Sequence, residues 1–242
     1  IMSYYPINLD IGGRKCLVVG GGGVATRKVK SLLHCGAQVT VVSPAISDAL
    51  ERLSGEEALT LIRRPYQSTD LDGHFLVIGA TDDMALSRRI NADAEERGML
   101  CNIADVPEIC NFILPAVIRQ GDLLLTVSTS GKSPAFAKHL RKQLQREYGD
   151  EYARFLELMG RIRKRLLAEA HAPEAHKPLF ERLIENNLLP LIRENDTDRI
   201  NRVLKDVLGE GFDYTELMAE TPAEDAAGQA QASRNRSRRQ SP

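Results

Sequence analysis

Four consecutive glycines, Gly20 to Gly23, separate an apolar run from a helix-forming stretch, and that order selects a narrow class of strand–turn–helix units. The run before them is Lys15 to Val19. After them, Val24 to Cys35 sets Val24, Val29, Leu32 and Leu33 at helical spacing, and Gly36 stands where a C′ glycine closes a helix. Gly20, Gly22 and Ala25 occupy the fixed positions of G-x-G-x-x-A. In that fingerprint the first glycine permits a tight turn, and the second lets the backbone approach a pyrophosphate. Ala25 lets helix and strand pack closely. The start of the helix then offers unpaired N–H groups and the positive end of its dipole to phosphate oxygens. A glycine-rich turn alone is weak evidence. Here a strand precedes it, a helix follows, and a second strand comes next, which is the context dinucleotide binding requires.

The rest of the first half keeps the same rhythm. Strands are predicted over Gln38 to Val42, Leu59 to Arg63, Phe75 to Ala80 and Met99 to Ile103. Helices are predicted over Ile46 to Leu53 and from about Met84 to Arg97. Alternation at this spacing gives a parallel sheet covered on both faces, an α/β fold of the Rossmann kind. After Asp105 the pattern changes. Phe112 to Arg119 and Leu123 to Ser128 flank Gln120-Gly121-Asp122 as a hairpin. Pro134 opens a helix reaching about Tyr148, with Ser133 as its N-cap. From Asp150 to Met218 the chain reads as helical, with breaks near Pro173, Pro178, Pro190 and Gly209. The expected division is a nucleotide-binding domain over 1–111, a small α+β dimerisation segment over 112–149 and a helical region over 150–219. Residues 220–242 are polar and small and are expected to be disordered.

Composition removes several functions. With 33 acidic and 32 Lys and Arg residues the chain lacks the basic surplus of a nucleic-acid binder. Its apolar runs are strand-sized, too short to span a bilayer, and its start lacks the succession of a signal peptide, so a cytoplasmic protein without a membrane partner is expected. Cys16, Cys35, Cys101 and Cys110 form no C-x-x-C pair and match no zinc spacing, and the five histidines show no ligand pattern. No metal site is expected; the cysteines read as reduced thiols.

The second strand ends in Ser43-Pro44-Ala45, where a typical NAD site has an acid for the ribose hydroxyls. No arginine there favours a 2′-phosphate either, so these residues by themselves prefer NAD over NADP only mildly. Asp105 lies just past the carboxyl end of a parallel strand, the edge where open α/β sheets bind ligands. It suits a general base, and equally an Asx turn before Pro107. Ser128, Thr129 and Ser130 suit carboxylate binding ahead of a helix, or simple turn formation. Lys138, Arg141, Lys142 and Arg146 make a basic helix face that fits a polycarboxylate or only solvent.

Taken together, the chain resembles the precorrin-2 dehydrogenase family, which includes stand-alone dehydrogenases, the bifunctional yeast dehydrogenase–ferrochelatase and the N-terminal part of bacterial siroheme synthase. The resemblance rests on Tyr5-Pro6-Ile7, Cys16 to Gly22, Val24 to Lys28, Ala80 to Asp83, Cys101 to Asp105, Asn111 to Ala116 and Val127 to Pro134, in family order over 5–148. It implies NAD-dependent oxidation of the tetrapyrrole precorrin-2 to sirohydrochlorin by a homodimer, with the active site between domains. It implies NAD+ bound by Gly22, Gly23 and Val24, beside the fingerprint residues Gly20 and Ala25, and by Pro44 and Ala45 next to Ser43, with Thr81, Asp82 and Asp83 near the ribose–nicotinamide end. Asp105 matches the family's catalytic aspartate, and Asn111, Ser128, Thr129, Ser130 and Gly131 match the substrate side. Some members also insert Fe2+ or Co2+, and the sequence does not separate them from those that only oxidise. A different class, a nucleotide-sensing Rossmann module gating a transporter, shares the glycine turn. It has no need of the Asn-Phe-Ile-Leu-Pro or Ser-Gly-Lys-Ser-Pro stretches, and it would bind NAD without consuming it.

Overall fold

The computed structural model describes residues 4–168 and 173–219. The predicted disordered tail lies outside the described residues. The described residues form two compact units, one of 4–115 with 128–134, the other of 116–127 with 135–168 and 173–219.

The first unit contains β1 (Lys15–Val19), α1 (Gly23–His34), β2 (Gln38–Val42), α2 (Asp48–Glu51), β3 (Leu59–Ile62), β4 (Leu76–Gly79), α3 (Met84–Glu95) and β5 (Leu100–Ile103). All five strands are parallel, in the order β3-β2-β1-β4-β5. The chain builds outward from β1 to β3, then returns to the other side of β1 to begin β4. The order therefore reverses between β1 and β4, and a crevice opens at their carboxyl ends, where doubly wound sheets take ligands. Alternation within the strands sorts the core. Cys16 and Val18 face Ala25, Val29 and Leu32 of α1, while Leu17 and Val19 face the side packed by Ile90 and Ala94 of α3.

Both long helices end as the sequence signals. Gly36, at φ +75°, lets its own N–H reach the Leu33 carbonyl (2.8 Å) and the Ala37 N–H reach Leu32 (3.1 Å), a Schellman closure. Gly98 repeats it, with the Met99 N–H on Ala94 at 2.9 Å. The helix expected over Ile46 to Leu53 is a single turn, Asp48–Glu51, followed by further turns.

The second unit holds the hairpin β6 (Ala116–Gln120) and β7 (Leu123–Val127), and the helices α4 (Pro134–Glu147), α5 (Glu151–Ala168), α6 (Pro173–Glu185), α7 (Leu188–Glu194), α8 (Thr197–Leu208) and α9 (Tyr214–Ala219). Pro134 itself falls in the first unit. Of the stretch 112–149, residues 116–127 and 135–149 share a unit with the helical region, while 112–115 and 128–134 belong to the first unit. The first hairpin strand begins four residues later than expected, because Pro115 has no N–H to give a ladder. Gly121 turns the hairpin at φ +55° and lies so close to α5 that a Cβ on it would sit 2.9 Å from the Ala153 Cβ. Leu158, Ile162 and Leu166 form a stripe on α5 that packs with Leu183, Leu188, Ile192, Ile200 and Leu204. Two expected breaks need correction. Pro178 lies inside α6, exposed, and the apolar packing of Leu179, Phe180 and Leu183 carries the helix through it. Near Pro190 the break belongs to Asn187 at φ +55°; Pro190 sits in the first turn of α7, where its missing N–H costs little.

Candidate functional site

The glycine turn after β1 is packed on two sides and open on the third. Gly20, at φ +123°, passes so near the end of β4 that a Cβ would meet the Ala80 carbonyl oxygen at 2.1 Å. A Cβ on Gly21 would meet the Ala45 carbonyl oxygen at 1.9 Å. A Cβ on Gly22 or Gly23 would have nothing within 4 Å. Gly22 is the N-cap of α1, Val24 is half-buried, and Ala25 is fully buried beneath it. The open side therefore lies in front of a helix N-terminus, where backbone N–H groups are free for an anion. This cradle fits a pyrophosphate.

The second loop is tied to the first. Ser43 donates its hydroxyl to the Ala45 carbonyl at 2.8 Å, and the Ser47 N–H reaches the Gly21 carbonyl at 2.9 Å. Thr26 donates its hydroxyl to the Gly22 carbonyl at 2.9 Å and lies 3.3 Å from the Ser47 hydroxyl. Ser43 is buried and shapes the loop, while Pro44 and Ala45 are exposed beside the cradle. Beyond β4, Asp83 caps α3 by accepting from Ala85 (2.8 Å) and Leu86 (3.1 Å), and Thr81 accepts from the Asp83 N–H. Asp82 is left exposed at the same sheet edge.

Asp105 follows β5. The Ala104 N–H reaches the Gly79 carbonyl at 2.8 Å, so the strand stays paired with β4 up to the residue before Asp105. Asp105 is exposed and held at φ +63°, a left-handed conformation that Asp and Asn tolerate better than most residues. Lys28, half-buried on α1, interacts electrostatically with Asp105 and Cys110; burial first, and Arg27 second, hold its ammonium below the ordinary lysine range against their pull.

Asn111, expected on the substrate side, is occupied otherwise. Its side-chain oxygen accepts from the Cys101 N–H at 2.8 Å and its amide donates to the Met99 carbonyl at 2.8 Å, so it completes the edge of β5. The segment Ser128 to Gly131 is a tight loop with Ser130 at φ +52° and Gly131 at φ +79°. Ser128 accepts from the Ser130 N–H and Thr129 from the Ser133 N–H, at 3.2 and 3.1 Å. Among the described residues no hydrogen bond joins this loop to the glycine turn or to Asp105. Sequence reasoning passed over Gly21, Thr26, Ser47 and Lys28. The fingerprint leaves the Gly21 position free, and only the length of the glycine run hinted at it. No sequence signal tied Thr26 to Ser47.

Comparison with known proteins places these features. A family model described as “Putative NAD(P)-binding” matches residues 7–116, and one described as “Sirohaem biosynthesis protein central” matches residues 120–147. The siroheme synthase of Thioalkalivibrio sulfidiphilus is 35% identical over 212 residues, covering 88% of this chain and 43% of the relative. That of Nitrosococcus oceani is 33% identical over 211 residues, covering 87% and 45%. Over most of its own length the chain is thus similar to siroheme synthases. It spans less than half the length of the curated relatives it matches. A solved structure titled “SirC, precorrin-2 dehydrogenase” superposes with a TM-score of 0.70 at 27% identity, over 82% of this chain and 100% of that one. The doubly wound sheet and the helical region that follows it thus recur together in a solved relative. Among the described residues no helix is long and apolar enough to cross a membrane.

Proposed function

We propose that this chain oxidises precorrin-2 to sirohydrochlorin with NAD+ as oxidant. The observation that carries the reading is the shared edge of one sheet: an open glycine cradle after β1, and an exposed aspartate after β5, with only β4 between their strands. Relationship to the siroheme synthases and to SirC supports the choice of tetrapyrrole and cofactor.

Gly22 and Gly23 leave room for the pyrophosphate, and the first N–H groups of α1 face it. Pro44 and Ala45 offer backbone groups to the ribose in place of an acid, with Thr81 and Asp82 bordering the same edge. NAD+, when bound, supplies the hydride acceptor. The oxidation also releases a proton, and Asp105, as a carboxylate reachable from solvent, accepts it as general base. Ser128 to Gly131, with hydroxyl and backbone donors ahead of α4, are assigned to the carboxylates of the substrate.

The functional unit is a homodimer built on the hairpin and α4, in the cytoplasm. Val117 on β6 and Phe136 on α4 are 44% and 53% exposed, a large apolar display for two elements of one small unit, and hairpin edges favour a covering partner. Sedimentation at micromolar concentration reads the dimer directly; a monomer would count against it. The activity test is anaerobic incubation with precorrin-2 and NAD+, followed by Fe2+. Stoichiometric NADH and sirohydrochlorin support the dehydrogenase. NAD binding without turnover supports a sensor, and metal uptake after oxidation adds chelation.

A further inference from the structure

β5 is the outer strand of the sheet, so the backbone groups of Met99, Cys101 and Ile103 that face away from β4 meet no further strand. Such an edge ordinarily stays wet or recruits another chain. Here Cys110 and Asn111 fill it. Asn111 exchanges backbone and side-chain bonds with Cys101, its N–H on the Cys101 carbonyl at 3.2 Å and its side-chain oxygen on the Cys101 N–H at 2.8 Å, and it reaches Met99. Cys110 serves Ile103: its Sγ accepts from the Ile103 N–H at 3.1 Å, and the Ile103 carbonyl lies 3.3 Å away as an acceptor for the thiol. The Val106 carbonyl is a second acceptor at 3.2 Å. Asn102, 7% exposed, donates to the Phe112 carbonyl at 3.0 Å and approaches Sγ at 3.7 Å, which holds the returning chain in place.

Ile103 and Val106 are the first and last residues of a four-residue turn, closed by the Val106 N–H on the Ile103 carbonyl at 3.4 Å. Asp105 is its third residue, at φ +63°, where a type II turn normally asks for glycine or asparagine. The closing bond is long, so the turn has little hold on its own shape. The thiol of Cys110 touches the carbonyls of both end residues and the N–H of one. From these contacts we infer that Cys110 is a positioning residue: its thiol clamps the two ends of the Asp105 turn and so fixes where the carboxylate stands at the sheet edge. Burial, the main influence, raises the thiol above its ordinary range against the opposing Ile103 N–H, so the group remains S–H and can donate. The inference rests on Asp105 being the base.

The test uses the full chain, precorrin-2 and NAD+, with C110A, C110S, D105N and the double variant D105N/C110A. C110A should bind NAD+ with wild-type affinity while kcat falls about 10- to 100-fold, the scale on which misplacement of a catalytic group is felt. C110S, which keeps a donor and an acceptor, should recover part of that loss. In the D105N background C110A should cost nothing further, because the base it positions is already gone. Amide exchange at Ile103 should quicken in C110A, showing that the clamp has opened; should C110A not fold, C110S carries the same comparisons at smaller amplitude. A wild-type kcat in C110A, or an equal loss in both backgrounds, overturns the role of Cys110 while a slow D105N leaves the base in place. A D105N enzyme near wild-type rate removes the base itself, and the clamp then positions nothing.

Discussion

Gly21 and Ala45 come so close that a Cβ on Gly21 would stand 1.9 Å from the Ala45 carbonyl oxygen, although the two belong to different loops. The approach is steric and not conformational, since Gly21 has no positive φ. It joins the glycine turn to the loop after β2, and the Ser47 N–H on the Gly21 carbonyl completes the join. The two loops that border the proposed dinucleotide site are therefore packed and hydrogen-bonded to each other.

This contact separates two neighbouring glycines. Gly21→Ala forces a Cβ against the Ala45 backbone, and overpacking of that kind costs roughly 1–3 kcal/mol, so thermal stability and NAD+ affinity should fall together. A Cβ on Gly22 meets no atom within 4 Å and the residue has φ −87°, which valine adopts freely, so Gly22→Val should fold normally. Its side chain occupies the space meant for the pyrophosphate, and NAD+ binding should be lost. Calorimetry and a melting curve on both variants check the pair; a Gly22→Val protein with unchanged affinity would refute the cradle.

Asp105→Asn offers an unusually clean separation of chemistry from structure. Asparagine tolerates φ +63° as well as aspartate does, so the turn should keep its shape. Only proton affinity is removed. Turnover should drop by roughly 10²–10⁴-fold with NAD+ binding and melting temperature unchanged. Asp105→Ala would add backbone strain on the order of 1 kcal/mol and confuse the two effects. Steady-state rates and a melt on one preparation decide it: near-normal turnover would take Asp105 out of the mechanism.

Much of this was legible in the sequence, and what was not has a common cause. The five strands, α1 and α3 declared themselves because each carries its own period and its own stop, Gly36 and Gly98 being the plainest. Asp105 could be placed at the sheet edge because a strand preceded it. Gly21 was hidden because its partner, Ala45, is 24 residues away, and only the fold brings the two loops together. The bonds of Asn111 were hidden for the same reason: nothing in the sequence says that β5 is an edge strand whose backbone takes up both ends of that side-chain amide. At Pro178 the local rule that proline breaks a helix gives way to burial of Leu183 in the helical core, which no local pattern reveals.

The cysteines should respond unequally to a thiol reagent. Cys16 and Cys101 are fully buried, and burial pushes their thiols up to about 11 and about 12, so neither supplies thiolate at neutral pH. Cys110 is raised by burial as well, and its Sγ is held among backbone groups. Cys35 alone of the four is exposed. Native protein should release one equivalent of chromophore rapidly from a disulfide reagent, with the remainder appearing only on unfolding. Rapid reaction in a Cys35→Ser variant would contradict the burial of the other three.

Arg64 and Asp70 supply a pH dependence whose sign is fixed. Asp70 accepts two bonds from the Arg64 guanidinium, at 2.8 and 2.5 Å, and one from the Gln67 N–H at 2.8 Å. The Arg64 hydrogen bond, working against burial and helped by Gln67, holds the Asp70 carboxyl below its ordinary value. A carboxyl depressed in the folded state binds its proton more readily in the unfolded chain. Its contribution is therefore complete above the ordinary carboxylate range and is lost as pH falls below about 4. Asp70 is 7% exposed in its side chain and Arg64 34%, so the acid is shielded while its partner is partly screened by water. Asp70→Asn should lower the melting temperature at neutral pH and flatten its fall on acidification, because one carboxyl no longer takes up a proton on unfolding. The turn that Asp70 caps lies in the first unit, away from the glycine turn in sequence, so NAD+ affinity at neutral pH should stay within error of wild type. Melting curves at neutral pH and at intervals down through the carboxylate range read the difference, and parallel curves for the two proteins would show that the pair plays no part in acid unfolding.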